Sequence, residues 1–312
     1  MSHYRDNLPQ LKDTLFLTDG GLETTLVFHK GMELPYFAAF DLLRHDAGVA
    51  RLRRYYEAYI EITRHRDLGF LLEAPTWRAN ADWRVKLGYD ARTLAAANRR
   101  AIDLMLELRD HHETPESPMV ISGNLGPRGD GYQATARMSA AEARRYHAHQ
   151  IETFADTAAD MVAAFTLTYV DEAIGIVQAA REAAIPVAIS FTLETDGRIP
   201  AGETLAGAIA HTDHETDGYA AYYMINCAHP THFMHLLQEE GEWRERTRGL
   251  RANASKRSHA ELDESPDLDA GNPGELGLEY RRIREWLPRL SVLGGCCGTD
   301  HRHLGAICAA CT

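Results

Sequence analysis

Clustered basic residues are missing from this 312-residue sequence. Its 33 Lys and Arg are outnumbered by 45 Asp and Glu, for a formal charge of -12, and no basic run occurs anywhere. Nucleic acids and anionic membrane surfaces are bound by grouped Lys and Arg that release counterions. Both are therefore excluded as partners, and a small-molecule substrate is the default. No run of about 18 uninterrupted apolar residues exists, which excludes a membrane-spanning helix. The segment from Met1 to Lys12 is polar and has no apolar signal region, so export is not expected. No Gly-x-Gly-x-x-Gly follows the first apolar run, which argues against an open dinucleotide-binding sheet. Short-period repeats and low-complexity linkers are absent too.

Cysteine is scarce. There are five, an odd number, and two are adjacent. Adjacent cysteines do not readily bridge each other, and the spacing does not fit a secreted disulfide framework. The expectation is a reducing, cytoplasmic compartment in which thiols stay available. What the sequence has in ordinary measure is core material. Hydrophobic residues make up 45% against 25% charged, enough to fill one large α/β domain.

Eight short apolar runs punctuate the chain, at Leu15–Thr18, Gly69–Glu73, Met119–Gly123, Met161–Thr166, Pro186–Thr192, Ala221–Asn226, Gly249–Ala252 and Leu290–Leu293. They alternate little between apolar and polar, as parallel strands buried on both faces do. Helical patterns lie between them. Ala50–Arg66 gathers Leu52, Tyr55, Tyr56, Tyr59, Ile60 and Thr63 on one face, and Thr93–His111 repeats Ile102, Met105 and Leu106. Ser139–Ala158 opens with Ser139 and Glu142 in capping-box spacing; Asp171–Ala184 and Gly274–Trp286 are similar. Strand–helix alternation repeated eight times predicts a single (β/α)8 barrel domain over residues 1–312. The stretches His112–Pro118 and Ala260–Pro273 read as surface loops, the second acidic and solvated.

In a closed barrel, function gathers where strands end. Here those ends are small, polar or metal-capable, and two carry cysteine. Cys227 ends the sixth strand; Cys296 and Cys297 end the eighth, beginning 69 positions later. Strands six and eight are next-but-one neighbours, so their ends can converge. Three thiolates with one open position is a catalytic pattern for tetrahedral Zn²⁺, and the glycines Gly294, Gly295 and Gly298 would let the chain turn there. The spacing is equally compatible with three buried, inert cysteines.

The motifs Leu17-Thr18-Asp19-Gly20-Gly21-Leu22-Glu23-Thr24, Glu73-Ala74-Pro75-Thr76-Trp77, Gly123-Asn124-Leu125-Gly126-Pro127, Ser190-Phe191-Thr192, Ile225-Asn226-Cys227 and Gly294-Gly295-Cys296-Cys297-Gly298-Thr299 run in one order along the chain. In them the sequence resembles the homocysteine S-methyltransferase family, which includes betaine-homocysteine methyltransferases, S-methylmethionine-dependent enzymes and the homocysteine module of cobalamin-dependent methionine synthase. The resemblance implies a zinc-bearing barrel with Cys227, Cys296 and Cys297 as ligands and homocysteine sulfur in the open position. It implies a methyltransferase that converts homocysteine to methionine. Because no second domain follows the barrel, the expected donor is a small onium compound such as S-methylmethionine or a betaine-like molecule. A homo-oligomer is compatible with the sequence. The rivals from other classes are a non-catalytic thiol- or metal-binding barrel and a zinc hydrolase, whose metal more often has His and carboxylate ligands.

The resemblance places Asp19 where a carboxylate holds the substrate ammonium; a turn-forming Asp before Gly-Gly reads the same way. Glu23 is a second candidate substrate ligand, or a helix-start carboxylate. Thr76 and Trp77 occupy a strand end that is Thr-rich in the family. Trp77 could offer its ring face to a cationic donor or simply pack. Asn226 orients the cysteine loop or forms a turn. His229, two residues past Cys227, reads as a loop histidine supporting the site. The His147–His149 and His301–His303 pairs have poor spacing for chelation on a helix. Cys308 and Cys311 read as frayed tail cysteines. One departure stands out. The family commonly has a Glu at the end of the fourth strand that helps hold the amino group, whereas this chain reads Ala163-Ala164-Phe165-Thr166-Leu167-Thr168. Either another acid, such as Glu194, compensates or the acceptor differs.

Overall fold

The computed structural model describes residues 2–12, 14–134, 137–265 and 267–312. Eight strands pair in parallel, each with the next in sequence, and the last pairs with the first to close a barrel. They are β1 (Phe16–Leu17), β2 (Gly69–Glu73), β3 (Met119–Leu125), β4 (Met161–Leu167), β5 (Val187–Phe191), β6 (Tyr222–Asn226), β7 (Thr247–Ala252) and β8 (Val292–Gly295). Every one overlaps an apolar run of the sequence, so the expected (β/α)8 barrel is the fold. The largest boundary differences, of two residues, are at β3, which runs on to Leu125, at β7, which starts earlier, and at β8, which is displaced to Val292–Gly295.

The strands carry two apolar faces, and these form two cores. One contains alternate residues such as Phe16, Leu71, Val120, Met161, Ala163, Phe165, Ala188, Tyr222, Met224 and Val292, which fill the barrel interior. The other joins the outward strand residues, including Leu17, Phe70, Leu72, Ile121, Val162 and Ile189, to the surrounding helices. The two-residue period of a strand thus explains why the runs look continuously apolar: neither face meets water. The helix Asp46–Arg64 buries the face read from the sequence, Leu52, Tyr55, Tyr56, Tyr59, Ile60 and Thr63. Ser139 and Glu142 form the expected capping box on Ala140–Ala155. A second box, between Asp90 and Thr93, starts Ala91–His112 two residues before the sequence pattern does. No helix among the described residues is long and apolar enough to cross a membrane.

The polar N-terminal segment closes the end of the barrel where strands begin. Leu8 packs into the interior core, and the Ser291 hydroxyl, just before β8, donates to the Gln10 carbonyl at 2.7 Å. Asp160, just before β4, gathers this end. Its carboxylate accepts from the amides of His3 (2.7 Å), Tyr4 (2.9 Å) and Ile121 (2.9 Å), and from Arg109 Nη1 at 2.7 Å. Both side chains of that ion pair are fully buried. Removing one partner of a buried pair strands the other charge, at a cost of roughly 3–5 kcal/mol. Arg109→Ala should therefore lower stability by about that much in urea unfolding, while the folded fraction keeps its chemistry at the opposite mouth. A loss below about 1 kcal/mol would show that Asp160 is sufficiently held by its backbone donors.

Candidate metal centre and active site

The cysteine turns are built by backbone that few side chains tolerate. Cys227 follows β6 with φ of 53°, a left-handed conformation uncommon for a residue with a Cβ. Four hydrogen bonds hold it: its N–H donates to the Arg251 carbonyl at 3.1 Å, and its carbonyl accepts from Asn253 Nδ2 at 3.0 Å and Thr192 Oγ1 at 3.5 Å and pairs with His259 Nε2 at 2.6 Å. Across the mouth, Gly298 has φ of 80°, where a side chain would be strained, and a Cβ there would press on the Asp269 carbonyl. The turn after β8 therefore needs glycine.

These turns bring the three sulfurs of Cys227, Cys296 and Cys297 within 4.8 Å of one another. Cys227 and Cys296 are in disulfide contact, and Cys227 and Cys297 lie 3.8 Å apart. Burial pushes the Cys297 thiol up, with the Tyr132 hydroxyl working the other way. That hydroxyl lies 3.5 Å from the Cys297 sulfur and 3.8 Å from Cys227. Asn226 supports the cluster from below. Its Oδ1 accepts from the Thr166 amide (2.8 Å) and the Ser190 hydroxyl (2.7 Å), and its Nδ2 donates to Thr166 Oγ1 (3.0 Å) and reaches the Cys296 sulfur at 3.9 Å. Thr166, also left-handed with φ of 61°, sits where the β4–β5 register shifts. Asn226 thus braces an irregular strand end and touches a cysteine with the same carboxamide.

Beside the sulfurs lies a buried charge cluster that the sequence does not announce. Arg251, on β7 and 8% exposed, points into the mouth. Its Nε donates to the Gly295 carbonyl at 2.9 Å, and its Nη2 donates to Asp19 Oδ1 at 2.7 Å and the Gly20 carbonyl at 3.0 Å. Its Nη1 pairs with the Glu73 carboxylate. The second Asp19 oxygen accepts from the Tyr55 hydroxyl at 3.0 Å. Burial pushes the Asp19 carboxyl above the usual range, opposed by Arg251 and Tyr55. Glu23, in the turn after β1, is pushed up to about 7, first by burial and then by Asp19.

The other candidates separate into roles. The Thr76 hydroxyl is engaged with the Asn124 carbonyl at 2.8 Å, tying the β2 and β3 ends. Trp77 already carries a cation: the Arg78 guanidinium lies 4.2 Å from its ring and 4.0 Å from that of Trp83. His229 caps the short helix Pro230–Phe233 and faces Glu279 at 3.4 Å, outside the sulfur cluster. Glu194 turns to His259 at 3.5 Å. His147 is buried against Glu172 at 2.9 Å, and His303 against Asp300 and the Ala270 carbonyl.

Two expectations are corrected. Cys308 and Cys311 do not fray: they sit in the helix His301–Cys311, with Cys308 in the core and Cys311 packed against it. The stretch 260–273, in which residue 266 lies outside the described residues, is not merely a solvated loop. His259 opens a short helix, and its ring stacks on Tyr132 with centroids 4.3 Å apart. Asp269 accepts from Ser255 at 2.6 Å. Tyr132, His259 and Arg251 escaped the sequence reading. The one signal available was the Ser258-x-x-Glu261 capping box, a helix start inside an apparent loop.

The Arg251 cluster yields a test. Arg251→Met leaves two buried carboxylates without their cation, a loss of about 3–5 kcal/mol. In that variant the folded-state carboxyls titrate above their unfolded values near 4, so the folded state binds more protons and stability falls as pH rises. Urea unfolding should show a deficit that is largest near pH 8 and shrinks toward pH 5. A deficit equal at both would remove the buried charges as its cause.

Two kinds of similarity bear on this site. The model of the homocysteine S-methyltransferase family matches residues 16–311. Among solved structures, the chain is similar to the Escherichia coli homocysteine methyltransferase MmuM in its oxidised form, with 18% identity, 97% of both chains covered and a TM-score of 0.74. It is similar as well to the metallated form, at 18% identity, 96% of both chains and a TM-score of 0.71, and to the apo form, at 19%, 97% of this chain, 98% of that chain and 0.66. At this identity the structures show a shared fold. The family model spans nearly all of the chain, which therefore belongs to the homocysteine S-methyltransferase family and is a methyltransferase.

Proposed function

We propose that the chain transfers a methyl group from a small onium donor to homocysteine, giving methionine, with a zinc ion held by Cys227, Cys296 and Cys297. The observation that carries this reading is the convergence of three cysteine sulfurs from two strand ends within 4.8 Å. The donor set fits a tetrahedral, sulfur-seeking ion with one position left open. The half-buried Cys297 thiol, pushed up in pKa, gains a counter-charge from such a cation. A metallated form of the E. coli homocysteine methyltransferase supports the same reading. Cys227 and Cys296, in disulfide contact, must be reduced before all three act as thiolates, which favours a reducing compartment such as the cytoplasm.

Bound zinc would keep the acceptor sulfur ionised at neutral pH, where a free thiol with a pKa near 8.5 is mostly protonated. The chain's own residues do the rest. Asn226 and the left-handed turn at Cys227 fix the directions of the sulfurs. The Tyr132 ring, stacked on His259, brings its hydroxyl to 3.5 Å from the Cys297 sulfur and 3.8 Å from that of Cys227. In the transfer, a bond forms between acceptor sulfur and methyl carbon while the bond from that carbon to the donor's onium atom breaks. The bonding pair returns to the donor, which leaves neutral, and the acceptor's thiol proton has gone to solvent. An onium donor's leaving group needs no proton, so the transfer requires no general acid. Alignment of the two reactants is the main contribution expected of the protein.

Protein purified under reducing conditions should contain one zinc per chain, with three sulfur ligands by X-ray absorption and a fourth when homocysteine is added. Cys297→Ser should cut zinc affinity and turnover by more than about 100-fold, beyond what loss of a supporting hydrogen bond costs. Absence of zinc after reduction and reconstitution, or full turnover by Cys297→Ser, would sink the reading.

A further inference from the structure

His259 meets the sulfur site twice, through two different parts of one ring. Its Nε2 lies 2.6 Å from the Cys227 carbonyl, and because a carbonyl only accepts, Nε2 carries the hydrogen. Asn253 Nδ2 at 3.0 Å and Thr192 Oγ1 at 3.5 Å hold the same carbonyl at longer range. The Cys227 N–H is already on the Arg251 carbonyl, so both polar groups of this residue are pinned. That over-determines its left-handed backbone, and with it the direction in which the side chain leaves the chain. The face of the same ring stacks on Tyr132, with centroids 4.3 Å apart and planes inclined at 28°. The Tyr132 hydroxyl ends 3.5 Å from the Cys297 sulfur and 3.8 Å from that of Cys227.

The ring has little freedom. His259 is 5% exposed and opens a helix whose start is set by the Ser258–Glu261 capping box. Thr192 Oγ1 lies 3.4 Å from its Nε2 and Glu194 Oε1 3.5 Å from its Nδ1. Tyr132 is anchored separately, at the root of its own segment. Its amide donates to Asp130 Oδ1 at 2.7 Å, and the Gly129 carbonyl accepts from Arg78 Nη1 at 3.0 Å. One residue earlier, the Arg128 amide donates to Glu172 at 2.8 Å. Glu172 pairs in turn with His147 at 2.9 Å, and both of these side chains are fully buried. A buried pair that methyl transfer does not use thus holds the base of the Tyr132 segment, and His259 holds its tip.

We propose that His259 is a positioning residue for the three cysteine sulfurs, its Nε2–H setting the Cys227 peptide and its ring setting the Tyr132 hydroxyl beside Cys227 and Cys297. The two arms are separable, since one uses a single ring hydrogen and the other the ring face. What the arms do for metal affinity rests on the proposed zinc site. What they do to the sulfurs themselves does not.

Three substitutions in the full chain divide the arms. His259→Phe keeps the ring and loses the donor. His259→Gln keeps a donor at the Nε2 position and loses the ring. Tyr132→Phe keeps the stack and loses the hydroxyl. Competition with a chromophoric chelator reads zinc affinity, and iodoacetamide alkylation of Cys297 in reduced, metal-free protein, followed by mass spectrometry, reads the sulfur alone. His259→Phe should weaken zinc binding by about 10–100-fold, the range for losing a group that orients a metal ligand. His259→Gln should bind zinc at least about 5-fold more tightly than His259→Phe, because the donor is restored. Tyr132→Phe and His259→Gln should each change the alkylation rate in the same direction by about 2–10-fold, the span of one hydrogen bond. Their double variant should change it no further than either alone, whereas Tyr132→Phe combined with His259→Phe should multiply the separate effects. Equal zinc loss in His259→Phe and His259→Gln, or multiplying effects of Tyr132→Phe and His259→Gln, would make His259 a packing residue and overturn the proposal. Wild-type protein that binds no zinc would sink the metal reading instead, and the alkylation cycle alone then decides on His259. That cycle needs only His259→Gln and Tyr132→Phe, so it stands even where His259→Phe does not fold.

Discussion

A guanidinium inside a barrel cannot shed its proton, so everything around Arg251 must be arranged to match it. It draws on β7, where it sits, on Asp19 and Gly20 after β1, on Glu73 at the end of β2 and on Gly295 at the end of β8. Four strand ends are thereby fixed to one planar group, and Gly295 is the residue immediately before Cys296. The position of the adjacent cysteines follows from this tie. The face of Phe165, with its centroid 5.3 Å from the guanidinium carbon, closes the cluster toward the apolar interior. The opposite end of the barrel is organised the same way, by Arg109 and Asp160. Buried pairs of this kind add little net stability over apolar packing. Their value lies in fixing geometry, because each has one arrangement that leaves no charge stranded.

A second constraint is conformational. Thr166 and Cys227 both adopt left-handed backbone angles at the mouth, a state that costs a non-glycine residue about 1 kcal/mol or more and persists only where the surroundings over-determine it. Asn226 is the surrounding for both: it is the residue before Cys227, and it bonds the Thr166 amide and hydroxyl. The strain turns the Cys227 sulfur toward β8 instead of along the strand. Irregularity is therefore concentrated at the reacting end, while the register elsewhere stays regular apart from one shift between β6 and β7.

The barrel was legible in the sequence because strands buried on both faces must be apolar throughout, and eight such runs separated by helical periodicity leave few alternatives. The sulfur cluster was legible for a related reason: closure fixes which strand ends are neighbours, so Cys227 and Cys296 could be brought together from strand order alone. Arg251 was not legible. Its partners lie on three other strands, and an arginine near the end of a short run looks like a strand boundary facing water. Tyr132 and His259 were hidden differently, since each reaches the site from a connection whose course no periodicity describes. Cys308 and Cys311 were misplaced because terminal position was taken for exposure, whereas the final helix packs against Pro273–Trp286 and buries Cys308.

Charge ties these observations together. Around the mouth, the carboxylates of Asp19 and Glu73 share the guanidinium of Arg251, which leaves that cluster with one negative charge before any sulfur ionises. Three thiolates would add three more on buried to half-buried sulfurs, where water screens them only in part. Such a site cannot hold its cysteines ionised unaided, which is why burial drives Cys297 toward its neutral form and Glu23 up to about 7. A divalent cation is the smallest addition that lets the sulfurs ionise, and even then the mouth stays negative. A negative mouth favours a positively charged methyl donor over a neutral or anionic one. It also loses that preference at the moment of transfer, when the onium charge is consumed and the neutral donor remnant has no field to hold it. The same electrostatic imbalance that calls for the metal thus favours entry of the proposed donor and release of what remains of it.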